Sequence, residues 1–417
     1  MEAAEALPPL AMPEVDFGFD PLEDMAQRVL ELEALGEPVV RVRYKDGDAW
    51  LVLGYENISD ILRNDADVPG AVYFRRELDT LGHTLLQMEG KEHRAYKTEM
   101  NQWFSAGTVR RLVDSVLLPV IDEIIDDFGD RRELLLNAAM SRRLGFNVIS
   151  RVLGVPVPRD KEDEVQQMIG DLVQIRDPNA PYEVRRQVAL DAVEQTNVML
   201  RPILAQRRAQ RQDDIISHLI DLEIEGRVLT DDEILDFVRS IYLAGADSTG
   251  LMLGNLMAAI LSRPEVLERM LSDRESRRPI IDEMMRLEAV TGLMTRTAVK
   301  DTPVGNMVIP SGAQILLGVP GANRDARLFP SPEEIKLDRP QRNLTLTFGA
   351  GAHFCLGHHL AKEELRLAIN RLLDRLPGLR LAGPPGRPGG TLFRFIADGV
   401  PIRFDVILPA DAVPLPA

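Results

Sequence analysis

The stretch Phe348–Gly357 reads FGAGAHFCLG and contains the one cysteine of the chain, Cys355. It runs directly into LGHHLAKEELRLAINRLL, whose apolar residues recur at helical spacing. A lone thiol in a glycine-rich loop at the start of a helix admits four readings. The ordinary one is a buried cysteine acting as a small hydrophobe. A phosphate or dinucleotide loop fails, because Phe354 stands where G-x-G-x-x-G needs its third glycine and no Lys-Ser/Thr follows the glycines. A nucleophile needs a base, and His353 is a candidate for one. The fourth reading is a metal-bound thiolate.

That fourth reading accounts for the whole loop. Backbone N–H groups and the positive dipole end at a helix start favour thiolate over thiol. Gly349 and Gly351 permit a tight turn and close backbone approach, and Gly357 lets the helix lie against a large planar ligand. Phe348 can shield sulfur from water, and His353 can face a ligand carboxylate. Haem with an axial cysteine uses all of these features.

Composition bounds the alternatives. The chain has 417 residues, 45% of them hydrophobic, with a mean hydropathy of -0.10, enough for a large buried core. Lys and Arg number 49 against 65 Asp and Glu, a net charge of -16, which argues against nucleic acid as the main partner. A single cysteine excludes an internal disulfide and any multi-cysteine zinc or iron–sulfur site. It also suits a reducing compartment. The acidic, proline-broken opening MEAAEALPPLAMPEVDFGFD reads as neither signal peptide nor membrane anchor, so the expectation is a cytoplasmic protein with no membrane anchor.

Along the chain, a helical segment is expected over Pro21–Leu35. A β-hairpin is expected in VVRVRYKDGDAWLVLG, Val39–Gly54. VDSVLLPVIDEIIDDF and RRLGFNVISRVLGV carry helical periodicity, and IRDPNAPY, Ile175–Tyr182, breaks the pattern between two helices. Thr230 and Glu233 form a capping-box start for one long central helix running to Ser262, apolar on nearly all sides in its second half. Strands return in TRTAVKDTPVGNMVIPSGAQILLGV, a proline-rich irregular stretch follows, and the tail around TLFRFIADGVPIRFDVIL is strand-rich. The fold class is therefore mainly α with small β-sheets, in one large helical domain.

Phe-Gly-x-Gly-x-His-x-Cys-x-Gly followed by Leu-Ala-Lys-x-Glu-Leu resembles the haem-binding signature of the cytochrome P-450 superfamily. The resemblance spans nearly the whole chain in the expected order. It implies an extension over residues 1–20, a haem-thiolate domain over 21–410, and no fused reductase. Haem b would lie between the central helix and the helix after the cysteine loop, with Cys355 as axial ligand and Phe348, Gly349, His353 and Gly357 around it. The EMMR segment is similar to the family's Glu-x-x-Arg pair, and LDRP supplies its third partner, implying a structural cluster of Glu283, Arg286 and Arg339. By the same resemblance His93, Lys97, Arg296 and His353 would meet the haem propionates, with Lys97 replacing the usual arginine fork by a point charge. ANRD and IPSG also match the family pattern.

AGADST in the central helix resembles the family's oxygen-activating segment, with Asp247 as the acid and Ser248 as the alcohol where threonine is usual. Thr249 is held in reserve, because adjacent helix positions point roughly 100° apart. These hydroxyls could instead bond their own helix backbone. Gly245 would let the helix widen locally to make room for oxygen. Substrate contacts are implied at Val68–Phe74, with Val72 foremost, at Ser240, Leu243 and Ala244, at Thr291–Met294 including Gly292 and Leu293, and near Phe393. Their apolar character implies a terpene, steroid, fatty acid or aromatic, unless they merely fill the core.

The resemblance thus implies an O2-activating monooxygenase, a monomer without tightly bound flavin. Its electrons would come from a ferredoxin or flavodoxin reduced by an NAD(P)H reductase. Lys362 and Arg366 are candidates for docking such an acidic partner, or else belong to a solvated face. A peroxide-driven enzyme would usually carry arginine in place of Asp247 and Ser248. A non-catalytic haem-binding or scaffold protein would have no need of that pair.

Overall fold

The computed structural model describes residues 24–45, 47–173, 180–340 and 342–415. The first 23 residues, Asp46 in the hairpin turn, and most of the Ile175–Tyr182 break lie outside the described residues. So does the start of the helix expected from Pro21. That helix is described over Met25–Glu33, where the Asp24 carboxylate accepts from the Gln27 amide at 3.2 Å and caps the first turn. The expected hairpin pairs Val39–Tyr44 antiparallel with Gly47–Val52, from Val39 opposite Val52 to Tyr44 opposite Gly47. Two later strands complete its sheet: Gln314–Gly318 lies parallel to Gly47–Val52 and antiparallel to Leu293–Thr297. Apolar clusters fill both faces of this sheet, while the largest core lies among the helices.

The central helix starts as its sequence dictates. Thr230 Oγ1 accepts from the Glu233 amide at 3.3 Å, and Glu233 Oε2 accepts from the Thr230 amide at 2.8 Å. Asp231, Asp232 and Glu233 in the first turn suit the positive dipole end. The expectation of one unbroken helix needs correction. It is interrupted at Asp247 (φ -103°, ψ -40°), giving Asp231–Ala246 and Ser248–Leu261. The physical reason is a crossing with helix Arg142–Leu153. A Cβ on Gly145 would stand 2.6 Å from the Gly245 carbonyl oxygen, and one on Gly245 would stand 2.8 Å from Ile149 Cγ1. Backbones this close leave the Gly245–Asp247 step to bend. The Ser248 hydroxyl spans it, donating to the Ala244 carbonyl at 2.8 Å.

The Val68–Phe74 segment, where substrate contacts are implied, is mostly helical. A helix runs over Gly70–Glu77, entered through Pro69, and packs on strand Leu293–Thr297. The helix after the cysteine loop spans His358–Arg375 and packs against Ser248–Leu261. Among the described residues, no helix is long and apolar enough to cross a membrane.

Candidate active site

The cysteine loop is closed by its own backbone. Gly349 (φ +75°) and Gly351 (φ +71°) take left-handed conformations, the Gly349 amide donates to Leu346 O at 2.9 Å, and the Cys355 amide donates to Phe348 O at 2.9 Å. A Cβ on Gly351 would stand 2.1 Å from the Leu62 carbonyl oxygen, so only glycine lets the loop rest on the C-terminal end of helix Tyr55–Arg63. Behind the loop, His358 Nδ1 lies 3.0 Å from the Cys355 carbonyl oxygen, and Phe348 sits under the Lys362 ammonium, 5.5 Å from the ring centroid. Burial pushes the Cys355 thiol up, opposed by the Gly357 N–H and the Lys97 charge. A metal cation at sulfur would reverse that balance and stabilise thiolate.

Basic groups converge beside the loop. The His93 and His353 rings lie 4.3 Å apart between centroids. Burial, with Lys97 and Arg94 adding to it, lowers His93 to about 4. Burial, His93, Arg296 and Lys97 together lower His353 to about 3. Arg296 is 6% exposed, and burial lowers it to about 10. Lys97, expected at a ligand carboxylate, directs Nζ to the loop, donating to the Ala352 carbonyl and to the Phe354 carbonyl at 2.7 Å. It thereby ties helix Gly90–Trp103 to the cysteine segment. Two residues that sequence reading missed share this cluster: Arg94, beside His93, and Asp65, whose carboxyl feels Arg296, Arg94 and Lys97. The Arg94 position was visible in the sequence as a cation next to His93. Asp65 carried no local signal.

Exposure locates the other wall. Ser240, Ala246, Thr249 and Gly250 on the central helix are buried, yet Ala244 and Asp247 are exposed and Leu243, Gly245 and Ser248 half-buried. Val72, Thr291 and Met294 are half-buried, and Phe393 is 51% exposed in a bridge with Thr291. Met294 Cε would meet a Cβ on Gly349 at 3.5 Å, so this strand abuts the cysteine loop. Gly292 and Leu293 need correction as pocket residues. A Cβ on Gly292 would stand 2.2 Å from Met25 Cε, and Leu293 packs in the cluster with Met25 and Val29. Strand alternation sends Leu293 to the face opposite Met294, and Gly292, just before the strand, is closed off by Met25.

Glu283 lies between Arg286 and Arg339. Arg286 Nε and Nη2 donate to its two oxygens at 3.0 and 2.9 Å, and Arg339 Nε donates to Oε2 at 2.8 Å. Burial alone would raise the Glu283 carboxyl, but the two guanidinium groups outweigh it and hold it below the usual range. Arg286 Nη1 donates to the Asn323 carbonyl at 2.9 Å, Asn323 Oδ1 accepts from the Leu346 amide at 2.7 Å, and Asn323 Nδ2 donates to Thr347 Oγ1 at 3.1 Å. Thr347 immediately precedes Phe348, so this buried network reaches the cysteine loop. Asn323 is the asparagine of ANRD; Thr347 had no signal of its own.

The donor set fits haem. Buried Arg296 and His93, half-buried Lys97 and His353 and exposed Arg94 gather beside the loop with one exposed carboxylate, Asp65, an excess of basic groups that suits a ligand carrying two carboxylates. A Cβ on Gly357 would meet nothing within 4 Å, leaving open space at the start of the helix behind sulfur. Among the described residues no group of three His, Cys, Asp or Glu could hold a metal ion.

A mostly helical fold with one cysteine loop, a broken central helix and a buried Glu-x-x-Arg cluster defines the haem-thiolate class. The family model for Cytochrome P450 matches residues 17–377, and the chain belongs to that family. It is 31% identical over 371 residues to the mycinamicin IV hydroxylase/epoxidase of Micromonospora griseorubida, covering 86% of this chain and 90% of the relative. The cytochrome P450 monooxygenase PikC of Streptomyces venezuelae is 30% identical over 386 residues, 89% of this chain and 87% of the relative. Among solved structures, cytochrome P450 CYP109Q5 from Chondromyces apiculatus superposes with a TM-score of 0.82 at 21% identity, covering 95% and 99% of the two chains. The protein is a cytochrome P450 monooxygenase, and its family implies haem-thiolate iron with O2.

Proposed function

We propose that this monooxygenase inserts one oxygen atom into a lipophilic small molecule such as a terpene, steroid, fatty acid or aromatic. Electrons come from a separate ferredoxin or flavodoxin served by an NAD(P)H reductase. One observation supports this most: between the buried runs Phe237–Tyr242 and Thr249–Gly250, every residue of Leu243–Ser248 except Ala246 is at least half-open, and the residues there are mainly apolar. Relatives named for the hydroxylation and epoxidation of mycinamicin IV, and for the epoxidation of cyclomarin C, agree with an organic substrate of some size.

Haem b, when bound, supplies the iron at which dioxygen is activated. Cys355 would hold it through sulfur, with the loop backbone hydrogen bonds fixing the position of that residue. His93, Arg296 and His353 would meet its carboxylates. Asp247, beside the helix break, takes protons from solvent, and Ser248 passes them on toward the reacting oxygen. Apolar Leu243, Ala244, Val72 and Phe393 exclude water and orient the substrate. Arg366 is already paired with Glu363 at 3.1 Å, which leaves Lys362 as the freer charge on the face expected to meet a redox partner.

The test is spectral, then catalytic. The reduced, CO-bound protein should give a thiolate-type Soret band, and a library of lipophiles should contain compounds that shift the ferric spectrum. Those compounds should support NADH consumption and product formation with surrogate redox partners. A correct band with no shifting compound and no product across the library overturns the substrate reading.

A further inference from the structure

Arg239 is the one cation in the run DFVRSIYLAGA of the central helix, and it has no part in the chemistry derived above. It is 3% exposed, immediately precedes Ser240, and lies one turn before Leu243 at the open step. A guanidinium buried there needs acceptors, and three elements supply them. Nη1 donates to Asn197 Oδ1 on helix Tyr182–Ala209. Nη2 donates to Asp236 Oδ1 on its own helix, and to the Leu81 carbonyl, at 3.4 Å, in the short turn Asp79–Leu81. The other Asp236 oxygen accepts from the His83 amide at 3.1 Å. Between these two contacts, a Cβ on Gly82 (φ +88°) would stand 2.0 Å from Asp236 Oδ2, so the chain passes this close to the central helix only as glycine. The turn follows helix Gly70–Glu77, which carries Val72.

We propose that Arg239 is a positioning residue for the substrate: it pins both the turn after the Val72 helix and helix Tyr182–Ala209 to the central helix, and so limits how large a ligand enters beside Leu243–Ser248. A planar fork suits this task, because one rigid group meets acceptors in fixed directions on separate elements. The Asp236 carboxylate offsets the buried charge, and the remaining N–H groups are left for the neighbours. Arg186 adds an outer tie, its Nε donating to Asp79 Oδ2 at 2.9 Å from the start of helix Tyr182–Ala209. That pair is partly exposed and contributes little by itself. The inner contacts are different: the turn cannot leave the central helix without stranding a buried guanidinium.

This rests on the haem and substrate-pocket readings, and the experiment separates them. Haem-loaded wild type, Arg239→Met, Arg239→Lys, Asn197→Ala and Arg201→Gln are mixed with imidazole or with the bulky azole clotrimazole, both of which ligate ferric haem iron through nitrogen. Arg201 is a control on the same helix as Asn197, paired at the surface with Asp232 at 3.2 Å. The readout is the ratio of association rates, clotrimazole over imidazole, followed at the Soret band. A merely stabilising role would lower the unfolding midpoint and leave this ratio alone. Arg239→Met should raise the ratio at least fivefold and Asn197→Ala at least twofold. Arg239→Lys, which keeps a charge beside Asp236, should fall between wild type and Arg239→Met, and Arg201→Gln should match wild type. An unchanged or lower ratio in Arg239→Met, or the same rise in Arg201→Gln, overturns the assignment while leaving the pocket reading intact. If Arg239→Met takes up no haem, Asn197→Ala decides by the same criterion, because it leaves the Arg239–Asp236 pair in place. Imidazole binding with no chain of the set binding clotrimazole overturns the pocket reading and the pin together. A wild-type chain that takes up no haem ends all three readings.

Discussion

Glu283 and Arg339, 56 residues apart in the chain, meet at 2.8 Å with side chains each 2% exposed. Arg286 completes the cluster, and the Phe329 ring lies 5.2 Å from its guanidinium carbon. Removing one partner of a buried pair leaves an uncompensated charge, at a cost of about 3–5 kcal/mol. Arg339→Met should therefore lower the unfolding free energy by about that amount, read from urea titration. The acid side has a defined sign: a carboxyl held below its ordinary 4.5 adds stability above that pH, lost as pH falls through the lower folded value. Loss of under 1 kcal/mol in Arg339→Met would show the cluster to be dispensable.

Cys355→Ala keeps the loop's backbone bonds, since the Cys355 amide, not its side chain, closes on Phe348 O. The variant should fold with wild-type circular dichroism and lose the thiolate-type CO band entirely. A retained band means that another atom ligates the iron.

At the helix break, the Ser248 hydroxyl is committed to the Ala244 carbonyl at 2.8 Å, while Thr249 is 5% exposed on the packed side. Ser248→Ala should lower product formed per NADH consumed several-fold, with the remainder appearing as peroxide. Thr249→Ala should leave that ratio near wild type and reduce stability by about 1 kcal/mol, as a small buried truncation does. Asp247→Asn should slow turnover at least tenfold with little change in substrate affinity. Coupling that falls in Thr249→Ala but not Ser248→Ala reverses the assignment of the alcohol.

What the residues made legible by themselves was short-range, whereas the Glu283–Arg339 contact, 56 residues apart, was legible only through the family resemblance. The Val39–Val52 hairpin, the Thr230–Glu233 box and the glycines around Cys355 each depend on residues a few positions apart, and each stands as expected. A local widening at Gly245 was expected, but a full interruption at Asp247 was not, because Gly145, about a hundred residues earlier in the chain, packs against it. Leu293 and Gly292 were misplaced for a related reason: period-2 alternation puts Leu293 opposite Met294, but Met25 on another element decides that the Leu293 face is core and closes the space beside Gly292. Asp65 was invisible because its partners arrive from a helix and a strand far along the chain.

His93 provides a pH test in the haem-free protein. It is 3% exposed, and burial, then Lys97, then Arg94 lower it from 6.5 to about 4. The unfolded chain therefore binds a proton near pH 6.5 that the folded chain refuses until about pH 4. Stability must fall as pH drops through that window and level off below it. Each pKa unit is worth about 1.4 kcal/mol, so His93 alone should account for a loss of about 3 kcal/mol. Urea unfolding at stepped pH should show this slope, and His93→Gln should remove about one proton's share of it, leaving the part due to His353. Haem loading should flatten the slope as well, because the propionates favour the protonated imidazole that the bare cluster disfavours. A His93→Gln variant with the wild-type slope would mean that His93 is solvated in the folded chain, and the basic cluster would then be looser than the 4.3 Å ring contact with His353 requires.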